Sequence, residues 1–169
     1  YTLADNQLYL KLNPEVADSL SHSSILIQRI QHHHFSSSTK ISFKSDALHE
    51  QAGMIVYRTN ENHFLLLKTK AEIILVKKFQ GQTEILARAS YTHPEVILQV
   101  KGNRMMLEFS FGASGGNMQK LGPPQSQIVI ADGNGNQFNG PGIGIYATSN
   151  GHPSNGHAAF SWFDYKGIP

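Results

Sequence analysis

The sequence predicts an all-β chain folded as one two-sheet antiparallel β-sandwich. Three observations predict this. About a dozen short runs alternate apolar and polar residues with a period of two, the pattern of half-buried strands. The runs recur roughly every 8–12 residues, the rhythm of a sandwich rather than of βαβ units. The breaks between them are rich in Gly, Asn, Asp and Ser, residues that turn the chain.

Taken in order, "QLYLKL" places Leu8, Leu10 and Leu12 on one face. "NPEVADSL" is the single helical signal, with Asn13 as N-cap and Pro14 at the first helical position. "SSILIQRI" and "TKISFK" read as strands, and "AGMIVYR" and "NHFLLLKTK" follow, joined through Asn60. "EIILVKKF" and "TEILARAS" flank "QGQ". "EVILQVK" aligns Val96, Leu98 and Val100; "RMMLEFSF" aligns Met105, Leu107, Phe109 and Phe111. Gly102-Asn103 between them reads as a two-residue hairpin turn. "QIVIA", "GIGIYAT" and "AAFSWFDY" complete the series. In the last run Phe160 and Trp162 share one face, Phe163 and Tyr165 the other, so one pair is expected inside. Segments 112–126 and 131–142 carry no strand pattern.

Composition removes several function classes. With 169 residues the chain is one domain, 1–169, and its 40% apolar content supports a core. The 14 basic residues are scattered and the net charge is +2, so the basic face of a nucleic-acid reader is missing. There is no cysteine for disulfides or thiolate metal sites. No apolar run approaches the roughly 20 residues of a membrane helix. The chain starts at Tyr1 without methionine and reads as a processed chain or a fragment.

Gly142, Gly144 and Ala147 have the G-x-G-x-x-A spacing of a dinucleotide-binding turn. That turn needs a helix N-terminus after it to hold the pyrophosphate. "TSNGHPSNG" follows instead, and Ile143 and Ile145 alternate with Gly144 and Tyr146. The glycines therefore belong to a strand, where a missing side chain lets a second backbone or a ligand come close.

Asp132, Asn134 and Asn136 start like a calcium loop, but Gln137 and Ile143 stand where its glycine and bidentate Glu belong. A calcium site built on backbone carbonyls stays open. His32 and His34 in "QHHHF" would share one side of a strand, without a third ligand at recognisable spacing. A glycosidase needs two carboxylates facing across a bond; Glu108 alternates with core residues, yet no partner can be named. Tyr57, Phe64, Phe138, Tyr146, Trp162 and Tyr165 offer rings for stacking on sugars, set against core packing as the ordinary role of most of them. Phe138 differs, lying in "GNGNQFNGPG" where nothing nearby forms a core. Exposing its ring forfeits roughly 2 kcal/mol, so a surface outside the domain is expected to cover it. The alternative is that its loop folds back onto the sheet.

Several stretches together are similar to a known family. "AGMIVYRTNENHFLLL" resembles A-G-(L/M)-x-x-(Y/F)-x-N-x-x-H-(F/Y), and "YTLADNQLYLKL" resembles a W-S-L-like opening followed by G-x-L-x-L. "ILIQRIQHHHF" resembles A-R-R-Q-Q-H-F. "FNGPGIGIYATSNG…AAFSWFDY" resembles F-T-G-x-F-V-G-L-Y-A-T…A-D-F-D-W-F-D-Y. These are motifs of the C-terminal β-sandwich of family 43 glycoside hydrolases, and they run nearly the whole chain in order. Gly142 departs from the family's aromatic, and Ser161 from its acid.

The resemblance implies a jelly-roll or concanavalin A-like sandwich. It implies a bacterial β-xylosidase or α-L-arabinofuranosidase parent acting on xylan fragments, with the catalytic residues in an N-terminal propeller outside this chain. The sandwich would be noncatalytic, pack on that propeller and present Phe138, Asn139 and Gly140 to its substrate pocket. The alternative is an independent module that binds xylan or xylo-oligosaccharides, with Tyr57, His63 and Tyr146 as stacking residues. No cofactor is required, a structural calcium stays possible, and no nucleic acid or membrane partner is expected. The family domain normally begins one strand earlier, so a lost first strand and an unpaired sheet edge are expected.

Overall fold

The computed structural model describes residues 1–45, 47–131 and 140–168. Fourteen strands are described: β1 Thr2–Ala4, β2 Gln7–Lys11, β3 Ser24–Arg29, β4 His34–Ser42, β5 Gln51–Thr59, β6 Asn62–Lys68, β7 Glu72–Phe79, β8 Gln82–Ser90, β9 Glu95–Asn103, β10 Met106–Gly112, β11 Gln119–Lys120, β12 Gln125–Ser126, β13 Gly142–Thr148 and β14 His157–Gly167. The larger sheet runs β1-β2-β14-β4-β9-β10-β11, with β12 also on β10. The second runs β3-β13-β5-β6-β7-β8. All pairings are antiparallel, so the predicted all-β two-sheet sandwich is the fold.

The alternation read from sequence supplies the core. Leu10, Leu12, Val96, Leu98, Val100, Leu107, Phe109 and Phe111 face in from the larger sheet. Met54, Val56, Phe64, Leu66, Ile143 and Ile145 meet them from the other. The Phe64 and Phe109 rings lie 5.4 Å apart. Burial of this apolar surface is the main stabilising term.

Four local expectations are corrected. Residues 13–20 form turns, not a helix. Their backbone groups bond to the end of β13 instead: Thr148 Oγ1 donates to the carbonyls of Asn13 and Glu15, and Ser149 N–H donates to Asn13 O. Ala17 N–H donates to the Tyr146 hydroxyl. The strand expected in "QIVIA" is a 3-10 turn over Gln127–Ile130, capped by the Ser126 side chain and burying the consecutive Val129 and Ile130. The β9–β10 turn is Arg104-Met105, two residues beyond Gly102-Asn103, with Arg104 at φ 38. Met105 therefore leaves the core face. Gly102 stays in the strand because the Phe35 ring lies on it; a Cβ there would meet Phe35 Cε1 at 2.1 Å.

The fourth correction concerns β14. A bulge between Phe160 and Trp162 breaks its register against β4, and a bulge moves every later side chain to the opposite face. Phe160 is buried, Phe163 and Tyr165 pack on the same core, and Trp162 turns outward. The bulge is held by the inward hydroxyls of β4: Thr39 Oγ1 donates to Trp162 O at 2.6 Å and Ser37 Oγ to Asp164 O at 2.8 Å.

Candidate functional site

At one tip of the sandwich lie the 3-10 turn, which ends at Ile130, and Gly140-Pro141, which lead into β13. Phe138 and Asn139 lie outside the described residues; Gly140 is the first described residue after them. A Cβ on Gly140 would touch Arg29 Cδ at 3.7 Å, so its backbone rests against the arginine stem. Pro141 O accepts from Ile30 N–H at 2.9 Å, which extends the β3–β13 ladder to this tip.

Two shallow depressions flank Gly140 and Pro141. One, of about 330 Å³, lies between the Arg104-Met105 turn and Ile128. The other, of about 250 Å³, is lined by Ile27, Arg29, Tyr57 and Gly142. The tip is apolar despite facing outward: Met105 is 71% exposed, Ile128 60% and Ile27 47%. Gln127 N–H donates to Met105 O at 2.8 Å, so Met105 and Ile128 are held side by side.

The other candidate residues gather on the outer face of the six-stranded sheet. Tyr57 on β5 faces His63 on β6 in register, their rings 6.0 Å apart. Tyr146 stands on β13, and residues 13–20 cover it. His63 and Tyr146 are each 1% exposed, Tyr57 half-buried. The Tyr146 hydroxyl accepts the Ala17 N–H at 3.0 Å, and burial is the main force that pushes its pKa up to about 12. His63 Nδ1 meets Thr59 O at 3.1 Å, and its Nε2 lies 3.4 Å from Asp18 Oδ1. Burial holds its pKa below the ordinary value; Asp18 and the Thr59 carbonyl oppose that and Lys78 adds to it. The rings of His63 and Tyr146 thus fasten the 13–20 segment to the sheet rather than present a face for stacking.

Beside them runs a groove of about 730 Å³, floored by Leu65, Leu67, Ile74 and Val76. Its carboxylates are neutralised in place. Asp18 pairs with Lys78, and Glu72 with Arg88 at 2.7 Å. Glu108 turns outward and pairs with Lys120 at 3.1 Å. His32 lies outside β4, with its ring against Tyr165. Among the described residues no three His, Asp or Glu side chains gather as a metal site.

Over residues 1–166 the chain matches the family of β-xylosidase C-terminal concanavalin A-like domains. The chain belongs to this family. The domain is 26% identical over 187 residues to a xylosidase/arabinosidase of Butyrivibrio fibrisolvens, covering 99% of this chain and 34% of that protein. It is 27% identical over 134 residues to a non-reducing-end α-L-arabinofuranosidase of Bacteroides ovatus, covering 76% of this chain and 25% of that protein. It thus spans a third of the first relative and a quarter of the second. A family 43 protein from Bacillus licheniformis shares the fold with a TM-score of 0.89 at 21% identity, over 96% of this chain and 33% of that one. The domain is therefore a family 43 C-terminal sandwich of the kind found in longer glycoside hydrolases.

Sequence reasoning missed two features. The apolar tip escaped because Met105 was placed on the core face and Ile128 in a strand. Trp162 was paired with Phe160 because period-2 alternation carries no sign of a bulge.

Proposed function

We propose that this chain is the noncatalytic C-terminal domain of a xylan-degrading β-xylosidase or α-L-arabinofuranosidase. It packs on a catalytic propeller through the tip at Gly140-Pro141 and offers the 132–139 segment, with Phe138, to the substrate pocket. The observation that carries this reading is the exposed apolar pair Met105 and Ile128 at the foot of that segment. Contiguous apolar surface at a loop base is the usual mark of a contact face. The proteins it resembles are glycoside hydrolases about three times its length, which supports a catalytic partner in the same chain.

The test is Ile128→Asp in the full-length enzyme. Ile128 is exposed within the domain, so the sandwich keeps its own stability, whereas a buried charge in the contact weakens docking. The expected result is a lower kcat/KM on aryl xyloside or arabinofuranoside and faster proteolysis between the domains. Unchanged kinetics and proteolysis would remove the tip from the contact.

A further inference from the structure

On the outer face of the larger sheet, away from the docking tip, the β14 bulge turns out the chain's single tryptophan, Trp162, 41% exposed. Tyr9 faces the same side, because Leu8 and Leu10 on β2 point to the core. Tyr9 lies opposite Ala159, which lies opposite Ser42; Trp162 lies opposite Lys40, two register steps away. With strands about 4.8 Å apart and a rise of about 3.4 Å per residue, the two Cα atoms are roughly 8 Å apart. Such diagonal neighbours are within reach of aromatic side chains.

On the outer face the groups beside the two rings are polar or small, and Tyr9, Gln7 and Ser161 are bonded in a row. Tyr9 Oη donates to Gln7 Oε1 at 3.1 Å, and Gln7 Nε2 donates to Ser161 Oγ at 3.2 Å. Ala159, which carries no bulk, lies between Tyr9 and Ser42. Lys40 is neutralised by Glu95 at 3.0 Å. Beyond it a low track continues over Ser36, Gln99 and Ser110, linked by 3.4 Å contacts. A depression of about 550 Å³ opens beside Trp162, edged by Leu3, Gln7 and Ser161 and reaching inward to Leu8, Ile145 and Phe160.

We infer that Trp162, Tyr9 and Gln7 form a binding platform for a neutral β-linked pyranose chain. A pyranose has a C–H face that packs on an aromatic ring and equatorial hydroxyls that meet planar amides and serines. Indole and phenol supply large apolar area with a polar tip; Gln7 and Ser161 supply donors and acceptors at the ring edge. A protein partner would instead bury contiguous aliphatic surface, as at Met105 and Ile128, whereas this face continues into serines and Gln99. The platform goes beyond the docking reading: Trp162 lies six strand positions, about 20 Å, from the His34 end of β4.

The single tryptophan makes the test direct. Xylohexaose, and separately cellohexaose, is titrated into the 169-residue protein while Trp162 emission is followed, and retention on insoluble xylan is measured in parallel. The expected result is a saturable emission shift, and retention about tenfold weaker in Trp162→Ala and in Tyr9→Ala, a loss of roughly 1.4 kcal/mol. Both variants should keep the parent melting temperature within about 2 °C, since the two rings are at least partly exposed. Ile128→Asp must leave retention unchanged, which separates this site from the docking tip. A shift with cellohexaose alone supports the platform and counts against the xylan reading of the parent. No shift with either sugar at millimolar concentration overturns the platform, as does a shift that survives Tyr9→Ala together with Gln7→Ala. Loss of enzyme activity in Trp162→Ala without sugar binding overturns it as well, and makes the patch part of the interdomain contact.

Discussion

Gly144→Ala tests the account of the glycine-rich strand. Gly144 pairs with Ile27 on β3 and Ile55 on β5. A Cβ there would stand 1.9 Å from Leu26 O and 2.7 Å from Ile27 Cα, backbone atoms that no rotamer change can move. Ordinary contact needs about 3.4 Å, so β3 must retreat by roughly 1.5 Å. Overpacking of this kind costs about 3 kcal/mol, before the β3–β13 ladder bonds lengthen. For a chain of this size that corresponds to a fall of about 6–12 °C in melting temperature. Urea and thermal unfolding give the number, with Gly116→Ala as control. That Cβ meets nothing nearer than Ala113 O at 3.4 Å and should cost under about 1 kcal/mol. A Gly144→Ala loss as small as that of the control would refute the close-approach explanation and reopen a ligand role for the glycines.

Tyr146→Phe leaves the buried Ala17 N–H without its acceptor and should cost about 1–3 kcal/mol in urea unfolding; a neutral result would mean the 13–20 segment does not depend on this bond. His63 has its folded pKa below the unfolded value of 6.5, so the unfolded chain takes up its proton first on acidification. Its contribution is complete above about pH 6.5 and declines below it, by at most about 1.4 kcal/mol per pH unit. His63→Gln should flatten the urea midpoint between pH 7.5 and pH 5.5, and a slope unchanged by the substitution would show that other groups set it. Phe138→Ala in the full-length enzyme should lower kcat/KM and leave the melting temperature of the isolated domain within about 2 °C; strong destabilisation of the domain with normal kinetics would make Phe138 a core residue.

The fold was legible wherever alternation and burial agree. Leu8, Leu10 and Leu12, or Val96, Leu98 and Val100, announce one inward face, and nothing in the structure competes with it. Legibility failed where tertiary bonds override local preference. Asn13-Pro14 is a good helix start, but Thr148, Ser149 and Tyr146, more than 120 residues away, take the backbone groups that a helix would use. It failed also where inward positions are polar. Ser37 and Thr39 are fully buried, and their hydroxyls are satisfied by the carbonyls of Asp164 and Trp162 at the β14 bulge, partners that local sequence does not show. The bulge itself leaves no trace in the alternation, so Trp162, though among the candidate stacking rings, was placed on the face of Phe160. The steric role of the glycines was legible, because Ile143 and Ile145 fix the strand. The stacking role assigned to His63 and Tyr146 came from residue type alone; their cover, residues 13–20, could be seen only once those residues were not a helix.

The central claim is that this domain performs no hydrolysis itself and completes a catalytic partner by docking through its tip. The most direct measurement is kcat/KM on an aryl β-xyloside and an aryl α-L-arabinofuranoside for three samples: this chain, the separately produced catalytic domain, and the two mixed. The account predicts no turnover by the chain, weak turnover by the catalytic domain, and saturable recovery in the mixture that Ile128→Asp abolishes. Turnover by the chain alone, or a catalytic domain fully active without it, would contradict the account.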